Sequence, residues 1–453
     1  MKFFDREYEI KRLREIRELS RHVAQFTILT GRRRIGKTSL LMKAYEDEPF
    51  LYFFVSRSSE SELCREFAEE IEAKLQIPLL GQPESFAKLF AYIVELSKSR
   101  PLTLILDEFQ DFQRVNDSIF SQMQKIWDLN KGQAKMNLVV CGSVYSMMNR
   151  LFLDSKEPLY GRQTEYFKIE PFMPSTLKDI LKTYNDQYTG EDLLTLFVLT
   201  GGVAKYVEML MDSGATTYRK MLSKVVSKNS FFIYEGKNML IEEFGRDYGR
   251  YFDILKLIAE GHTSRSDIEG IMNLEISGYI TRLENDYGLI EKNRPMFQKS
   301  TGKNVRYTIG DCFLRFWFRF IYKYNSVIEA NAYDKLAAIV ARDYSTYSGK
   351  VLERFFKMQM MEGGAYTHIS SWWDRKGENE IDIIACDELS KTLDVFEVKR
   401  QAKEIDLGVL KEKTLRFLQA TGQCADYEIT YHGLSLDDMR GVRAEGRGMR
   451  DEG

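Results

Sequence analysis

One octapeptide narrows the folds open to this chain more than any other feature: Gly31-Arg32-Arg33-Arg34-Ile35-Gly36-Lys37-Thr38. It follows an apolar run of strand length, Phe26–Thr30, and leads into Thr38–Tyr45, which carries a helical pattern. A strand that curls through glycines into a helix turns backbone N–H groups into the curl, and the helix start adds partial positive charge. Such a loop is suited to phosphate oxygens. Gly31, Arg34 and Gly36 shape it, and Ser39 follows it in the first helical turn. Lys37 is positioned to neutralise β- and γ-phosphates, and the Thr38 hydroxyl to ligate Mg²⁺.

A second apolar run, Leu102–Leu106, ends in Asp107 and Glu108. Downstream of a phosphate loop, the first acid of such a pair holds magnesium through water and the second polarises the attacking water. Glu108 therefore points to hydrolysis rather than binding alone. No N-K-x-D guanine box is evident in the sequence, which favours ATP over GTP. Leu51–Val55 and Leu138–Cys141 are further apolar runs without alternation, as in strands buried on both faces of a parallel sheet covered by helices.

With these motifs in place, the chain resembles the archaeal-type P-loop ATPase family, related to the AAA+ and STAND ATPases and spread also through bacteria. The resemblance runs over nearly the whole chain. Phe4-Asp5-Arg6-Glu7-Tyr8-Glu9 looks like the family's N-terminal box, which implies that Arg6 helps frame the nucleotide. Ser143, in Val140-Cys141-Gly142-Ser143, falls where the family places a polar sensor of the γ-phosphate. Arg162 is similar to an arginine that stabilises transition-state charge in cis or across a subunit boundary, so a homo-oligomer is one implied state. Gly201-Gly202-Val203-Ala204 resembles a Gly-Gly-x-Pro motif, with Ala204 in place of the proline.

The remaining pattern suggests an α/β multidomain chain. The expected parts are a P-loop ATPase core over 1–174, a helical lid over 175–245, a winged helix over 246–311, a C-terminal α/β domain over 312–435, and a disordered tail over 436–453. In the winged helix, Glu275–Asn285 is the expected recognition helix, with Arg282 available to DNA. Lys292, Arg294, Lys299, Lys303 and Arg306 would make a basic wing. The C-terminal part resembles the restriction-endonuclease-like PD-(D/E)XK family. By that resemblance Asp382, Glu397 and Glu353 would hold Mg²⁺ or Mn²⁺, and Lys399 would position water. Glu397 and Lys399 are two apart on one strand and share a face. The aromatic stripe Phe313, Phe316, Trp317, Phe320, Tyr324 has the spacing of a packed helix face.

Composition limits the partners. With 65 basic and 67 acidic side chains, any nucleic-acid contact must come from a local patch. Five scattered cysteines and an N-terminus that becomes charged at once suggest reduced thiols and a cytoplasmic protein without a membrane span. Two readings compete with a DNA-associated ATPase that carries a nuclease-like domain. One is an ATP-gated scaffold for a protein partner; the other is a DNA-binding regulator whose nuclease-like domain is inactive.

Overall fold

In the computed structural model the chain divides into two compact units, Asp5–Glu170, and Met1–Phe4 together with Pro171–Gly453. Described are residues 1–441 apart from 79, 80, 82, 246, 247, 300, 301 and 303, and the backbone of 449–450.

The first unit contains five strands: β1 (Gln25–Thr30), β2 (Leu51–Phe54), β3 (Leu102–Asp107), β4 (Met136–Cys141) and β5 (Glu165–Lys168). They form one parallel sheet in the order β2-β3-β4-β1-β5. Every residue of β3 and β4 is buried, which is why these segments are apolar without alternation. Strand β5 escapes a sequence reading because it lies at the sheet edge and is short, two aromatic residues between charged ones, Glu165-Tyr166-Phe167-Lys168. Phe26, Phe53, Phe109, Trp127 and Phe152 belong to a core shared by the sheet and its helices. The register sets Leu29 opposite Cys141 and Leu106 opposite Val140. The C-terminal ends of β1, β3 and β4 therefore line up, and whatever follows them is gathered beyond the carboxyl ends of the strands, the usual place for a ligand in such sheets.

The second unit begins with five helices, Pro174–Tyr184, Gly190–Thr200, Ala204–Asp212, Tyr218–Val225 and Phe231–Phe244. Gly190–Thr200 starts from a capping box between Thr189 and Asp192 and is buried from Asp192 through Thr200. A helix apolar on all sides must be enclosed, and this one lies at the centre of the bundle. Ala204 occupies the first helical position, where a proline is tolerated because no intrahelical N–H is needed, so the change from Gly-Gly-x-Pro leaves the helix start intact.

Three further helices follow, Tyr248–Glu260, Arg265–Met272 and Ser277–Thr281, the last continuing as a wide turn over Arg282–Asp286. After them β6 (Ile290–Asn293) and β7 (Arg306–Ile309) pair antiparallel. Beyond the aromatic stripe runs a 31-residue helix, Tyr333–Gly363. Strands β8 (His368–Trp373), β9 (Glu380–Asp387), β10 (Thr392–Val398), β11 (Glu428–Leu434) and β12 (Met449–Arg450) then form a mixed sheet in the order β12-β11-β10-β9-β8. The helix Leu407–Thr421 makes the crossover between the parallel pair β10 and β11. Among the described residues, no helix is long and apolar enough to cross a membrane.

Three expectations change. First, Cys312–Phe316 packs on the helical bundle, not on the C-terminal sheet: Phe313 lies 4.9 Å from Tyr206, and Cys312 lies against Gly201. The apolar stripe needed a partner, and the buried face of Gly190–Thr200 supplied it. Second, the expected tail is structured at its start. Leu436–Asp438 forms a capped turn, and a Cβ on Gly190 would come within 2.0 Å of the Leu436 carbonyl oxygen. Residues 442–448 and 451–453 lie outside the described residues. Third, the hairpin loop is not a free basic wing. Met296 is buried among Trp372, Ile381, Leu393 and Phe417 in the C-terminal core, and its N–H donates to Ser371 O at 2.9 Å. Phe297 stacks near Phe417 and His368. Arg306 pairs with Glu380 at 3.0 Å and covers the Trp373 ring at 4.5 Å. The apolar pair Met296-Phe297 inside a basic loop was the signal: burying it offers more than a solvent-exposed loop can.

Candidate nucleotide site and C-terminal acidic cluster

The loop after β1 adopts the backbone its glycines permit. Gly31, Arg34 and Gly36 have φ of 145°, 69° and 96°. A Cβ on Gly31 would come within 2.6 Å of Ile169 O, so only glycine lets the loop pass this close to the strand end beside it. Lys37, buried at the start of the helix Lys37–Ala44, donates from Nζ to Gly31 O at 2.9 Å and Arg32 O at 3.1 Å. Its ammonium is thereby folded back over the loop. Thr38 and Ser39 are exposed on the next turn.

Asp107 stands at the end of β3, almost fully buried, and accepts four hydrogen bonds. Thr38 Oγ1 donates at 2.8 Å, Tyr52 OH at 2.7 Å, the Cys141 thiol at 2.8 Å and Glu108 N at 2.9 Å. Burial pushes the Tyr52 phenol and the Cys141 thiol up, and the Asp107 carboxylate beside them pushes both further. Both remain protonated donors at neutral pH. Glu108 sits in left-handed backbone, φ 54°, which turns its side chain out of the strand. Its Oε2 accepts from Gln110 Nε2 at 2.6 Å, Ser143 Oγ at 2.7 Å and Ser143 N at 3.2 Å. A Cβ on Gly142 would lie 2.3 Å from Gln110 Oε1, so Gly142 is what allows this clamp to close.

Loop, Thr38, Asp107, Glu108 and Ser143 are thus brought together. Tyr52, Gln110 and Cys141 join them without having been singled out in the sequence. Tyr52 carries no motif, and only the pairing of Phe54 with Asp107 reveals that β2 flanks the acid. Arg6 is close by through the backbone. Its guanidinium donates to Glu170 O and pairs with Glu9 at 3.2 Å, one residue from the Ile169 carbonyl that faces Gly31. Arg162 is held elsewhere: it pairs with Asp128 at 3.0 Å and donates to Tyr160 O at 2.8 Å.

The C-terminal residues also converge. Asp382 on β9 accepts from Val398 N at 2.8 Å, and Glu397 on β10 accepts from Asp406 N at 2.8 Å. Lys399 Nζ lies 3.3 Å from Glu397 and 3.6 Å from Asp382, between the two carboxylates. Glu353, on the long helix, is pushed up to about 8 by burial and then by the Asp382 charge. Among the described residues no three His, Cys, Asp or Glu side chains are grouped so as to hold a metal ion.

A glycine loop between strand and helix, its lysine, and an acid pair at the end of β3, one strand removed from β1 in the same parallel sheet, define a P-loop ATPase. Residues 3–210 match the family described as an ATPase domain predominantly from Archaea. Residues 317–416 match a second family, of archaeal and bacterial proteins of unknown function. An uncharacterised protein of Methanocaldococcus jannaschii is 29% identical over 440 residues, covering 95% of this chain and 94% of its own. Among solved structures, a Walker-type ATPase of Pyrococcus abyssi is similar at TM-score 0.52 and 20% identity, over 70% of this chain and 96% of that one. At that identity the likeness concerns the fold. The ORC2 protein of Aeropyrum pernix, solved as ADPNP–ADP complexes, is similar at TM-score 0.47 and 14% identity, over 72% of this chain and 94% of that one.

Proposed function

We propose that this chain is a magnesium-dependent, cytoplasmic ATPase that works as a switch on DNA. The observation that carries the catalytic part is the pairing at the carboxyl ends of the strands of Thr38 Oγ1 with Asp107 Oδ2, 2.8 Å apart, beside a Glu108 carboxylate clamped by Ser143 and Gln110. A hydroxyl next to a carboxylate is a hard oxygen donor set, which fits Mg²⁺ accompanied by water. Bound Mg²⁺ would supply charge neutralisation on the phosphates. The chain's own residues do the rest. Loop N–H groups and Lys37 bind phosphate oxygens, and Arg6 steadies the strand end next to Gly31. Glu108 takes the proton of the attacking water, while Ser143 and Gln110 keep its carboxylate aimed. Ser39 completes the first turn of the phosphate helix. Arg162, occupied by Asp128, serves best as a structural ion pair within this unit.

The DNA part rests on a different face from the wing. Arg250, Tyr279 and Arg282 line a cleft of about 780 Å³ at the start of the expected recognition helix. Arg250 covers the Tyr279 ring at 5.8 Å, and Arg282 donates to Tyr251 OH at 3.4 Å, so both guanidiniums are oriented. Arginines so placed suit backbone phosphates. Duplex DNA is expected to raise ATP turnover, and Arg250→Ala with Arg282→Ala to weaken DNA binding and lower the slope of affinity against salt. Unchanged binding across a salt series would remove this face from DNA and favour a protein partner.

The C-terminal cluster supports a second, narrower reading. Asp382, Glu397, Lys399 and Glu353 carry the residue types of a PD-(D/E)XK nuclease on adjacent strands and a facing helix. Two carboxylates near a lysine can serve a hydrolytic metal once Lys399 gives way to it. Cleavage of DNA supported by Mn²⁺ in the parent and lost in Asp382→Ala is the expected outcome. Equal cleavage by both proteins, or none on duplex, branched or single-stranded DNA, would leave the ATP switch alone.

A further inference from the structure

A second cavity lies within the C-terminal unit, about one turn along the helix Tyr333–Gly363 from Glu353. It measures about 400 Å³ and is bounded by the turn after the helix Tyr248–Glu260, by Thr308 and Ile309 of β7, and by two helix faces. Arg315 and Arg319, four residues apart, come from one helical segment; Asp343, Thr346, Tyr347 and Lys350 come from one face of the helix Tyr333–Gly363.

Several polar groups here lack protein partners. The Tyr347 hydroxyl and Arg319 Nη1 are both buried with no hydrogen-bond partner among the described residues. Arg319 uses only Nη2, which meets Asp343 at 3.0 Å. The guanidinium of Arg315 and the ammonium of Lys350 have no hydrogen-bonded or ion-paired partner among the described side chains; their charges act at longer range on Glu291, which Arg354 already holds, and on Glu353. Of the two acids at the cavity, Asp343 is already taken: Arg342 grips it at 2.7 and 3.1 Å in addition to Arg319. These guanidiniums hold its carboxyl down at about 2, and it remains an anion neutralised by its own arginines. Glu260 stands exposed at the mouth. Buried donors are seldom left without acceptors, and each one left so weakens the fold unless something else meets it.

We propose that this cavity binds a small phosphorylated anion, up to the size of a mononucleotide, with Arg315, Arg319 and the Tyr347 hydroxyl as donors to the phosphoryl oxygens and Lys350 at the rim. Two guanidiniums on one helix face and a phenol opposite them supply several donors to one tetrahedral anion, which a carboxylate would not use fully. The volume is within the range of small-molecule sites and too small for a folded segment. The site is separate from the phosphate loop, and its ligand would bear on the helix that also carries Glu353.

The test uses the full chain carrying Lys37→Ala, so that the phosphate loop does not compete, and inorganic pyrophosphate as the probe in calorimetry at low salt. One saturable site is expected. Arg315→Met and Tyr347→Phe should each weaken it about tenfold, the loss of one charge-assisted hydrogen bond. Should either variant fail to fold, Lys350→Ala at the exposed rim should still weaken binding severalfold. No saturable binding, or equal affinity in all variants, would overturn the proposal. So would variants that weaken duplex DNA binding and leave pyrophosphate binding intact, since the cavity would then serve a nucleic-acid backbone.

Discussion

Glu353 shows how far a single side chain can depart from its ordinary behaviour. It is a half-buried carboxyl on the long helix, and desolvation with the nearby Asp382 charge raises it from 4.5 to about 8. Between those values the unfolded chain has released the proton and the folded chain still holds it. Folding is therefore favoured at the acidic end of this window, and stability drains away as pH rises towards 8. Glu353→Gln is neutral in both states and removes that slope. Thermal unfolding of parent and variant should diverge from pH 4.5 to 8, with the variant gaining steadily. Parallel curves would mean that Glu353 is ionised in the folded protein. At this scale the sequence was informative for Asp107, Glu108 and Ser143, because each follows an apolar strand. It was silent on Tyr52 and Gln110, whose roles depend on which strand lies beside β3 and on the turn of the chain at Glu108.

At the scale of elements, the hairpin β6–β7 departs most from its sequence reading. Lysines and arginines around a loop suggested a surface for DNA, yet Met296 and Phe297 anchor that loop in the neighbouring core. Glu291 at the hairpin base adds a two-pronged pair with Arg354, both contacts at 2.6 Å. The helix is thus tied to the strand below the anchor. Met296→Ala should cost about 2–5 kcal/mol, as for a buried side chain that leaves a cavity. Urea unfolding followed by Trp372 and Trp373 fluorescence would show it; an unchanged midpoint would mean the loop is merely resting on the sheet. The three interior strands of the first unit, β1, β3 and β4, were legible because burial on both faces leaves a plain apolar signature, and β2, at the edge, because Leu51-Tyr52-Phe53-Phe54 is apolar throughout. β5, β8 and β11 were not, since edge or half-exposed strands mix polar and apolar residues.

For the whole molecule, the sequence conveyed the class through local motifs. The segments expected as lid, winged helix and C-terminal domain fall within one compact unit. The reasons are contacts between residues far apart in sequence. Trp317 Nε1 donates to Ile233 O at 2.8 Å, Thr195 meets Tyr344 at 2.7 Å, and Phe197 packs on Phe355 at 5.4 Å. None of these pairings leaves a periodic trace along the chain. The phosphate site, in contrast, is local in sequence and gathered by a parallel sheet whose register follows from burial. The central claim is that ATP is turned over there by the Glu108 carboxylate. The direct measurement compares ATP binding and single-turnover hydrolysis in the parent, Lys37→Ala and Glu108→Gln. Lys37→Ala should lose binding; Glu108→Gln should bind ATP as the parent does and hydrolyse it about a hundredfold more slowly or worse. Hydrolysis by Glu108→Gln at the parental rate would contradict the account.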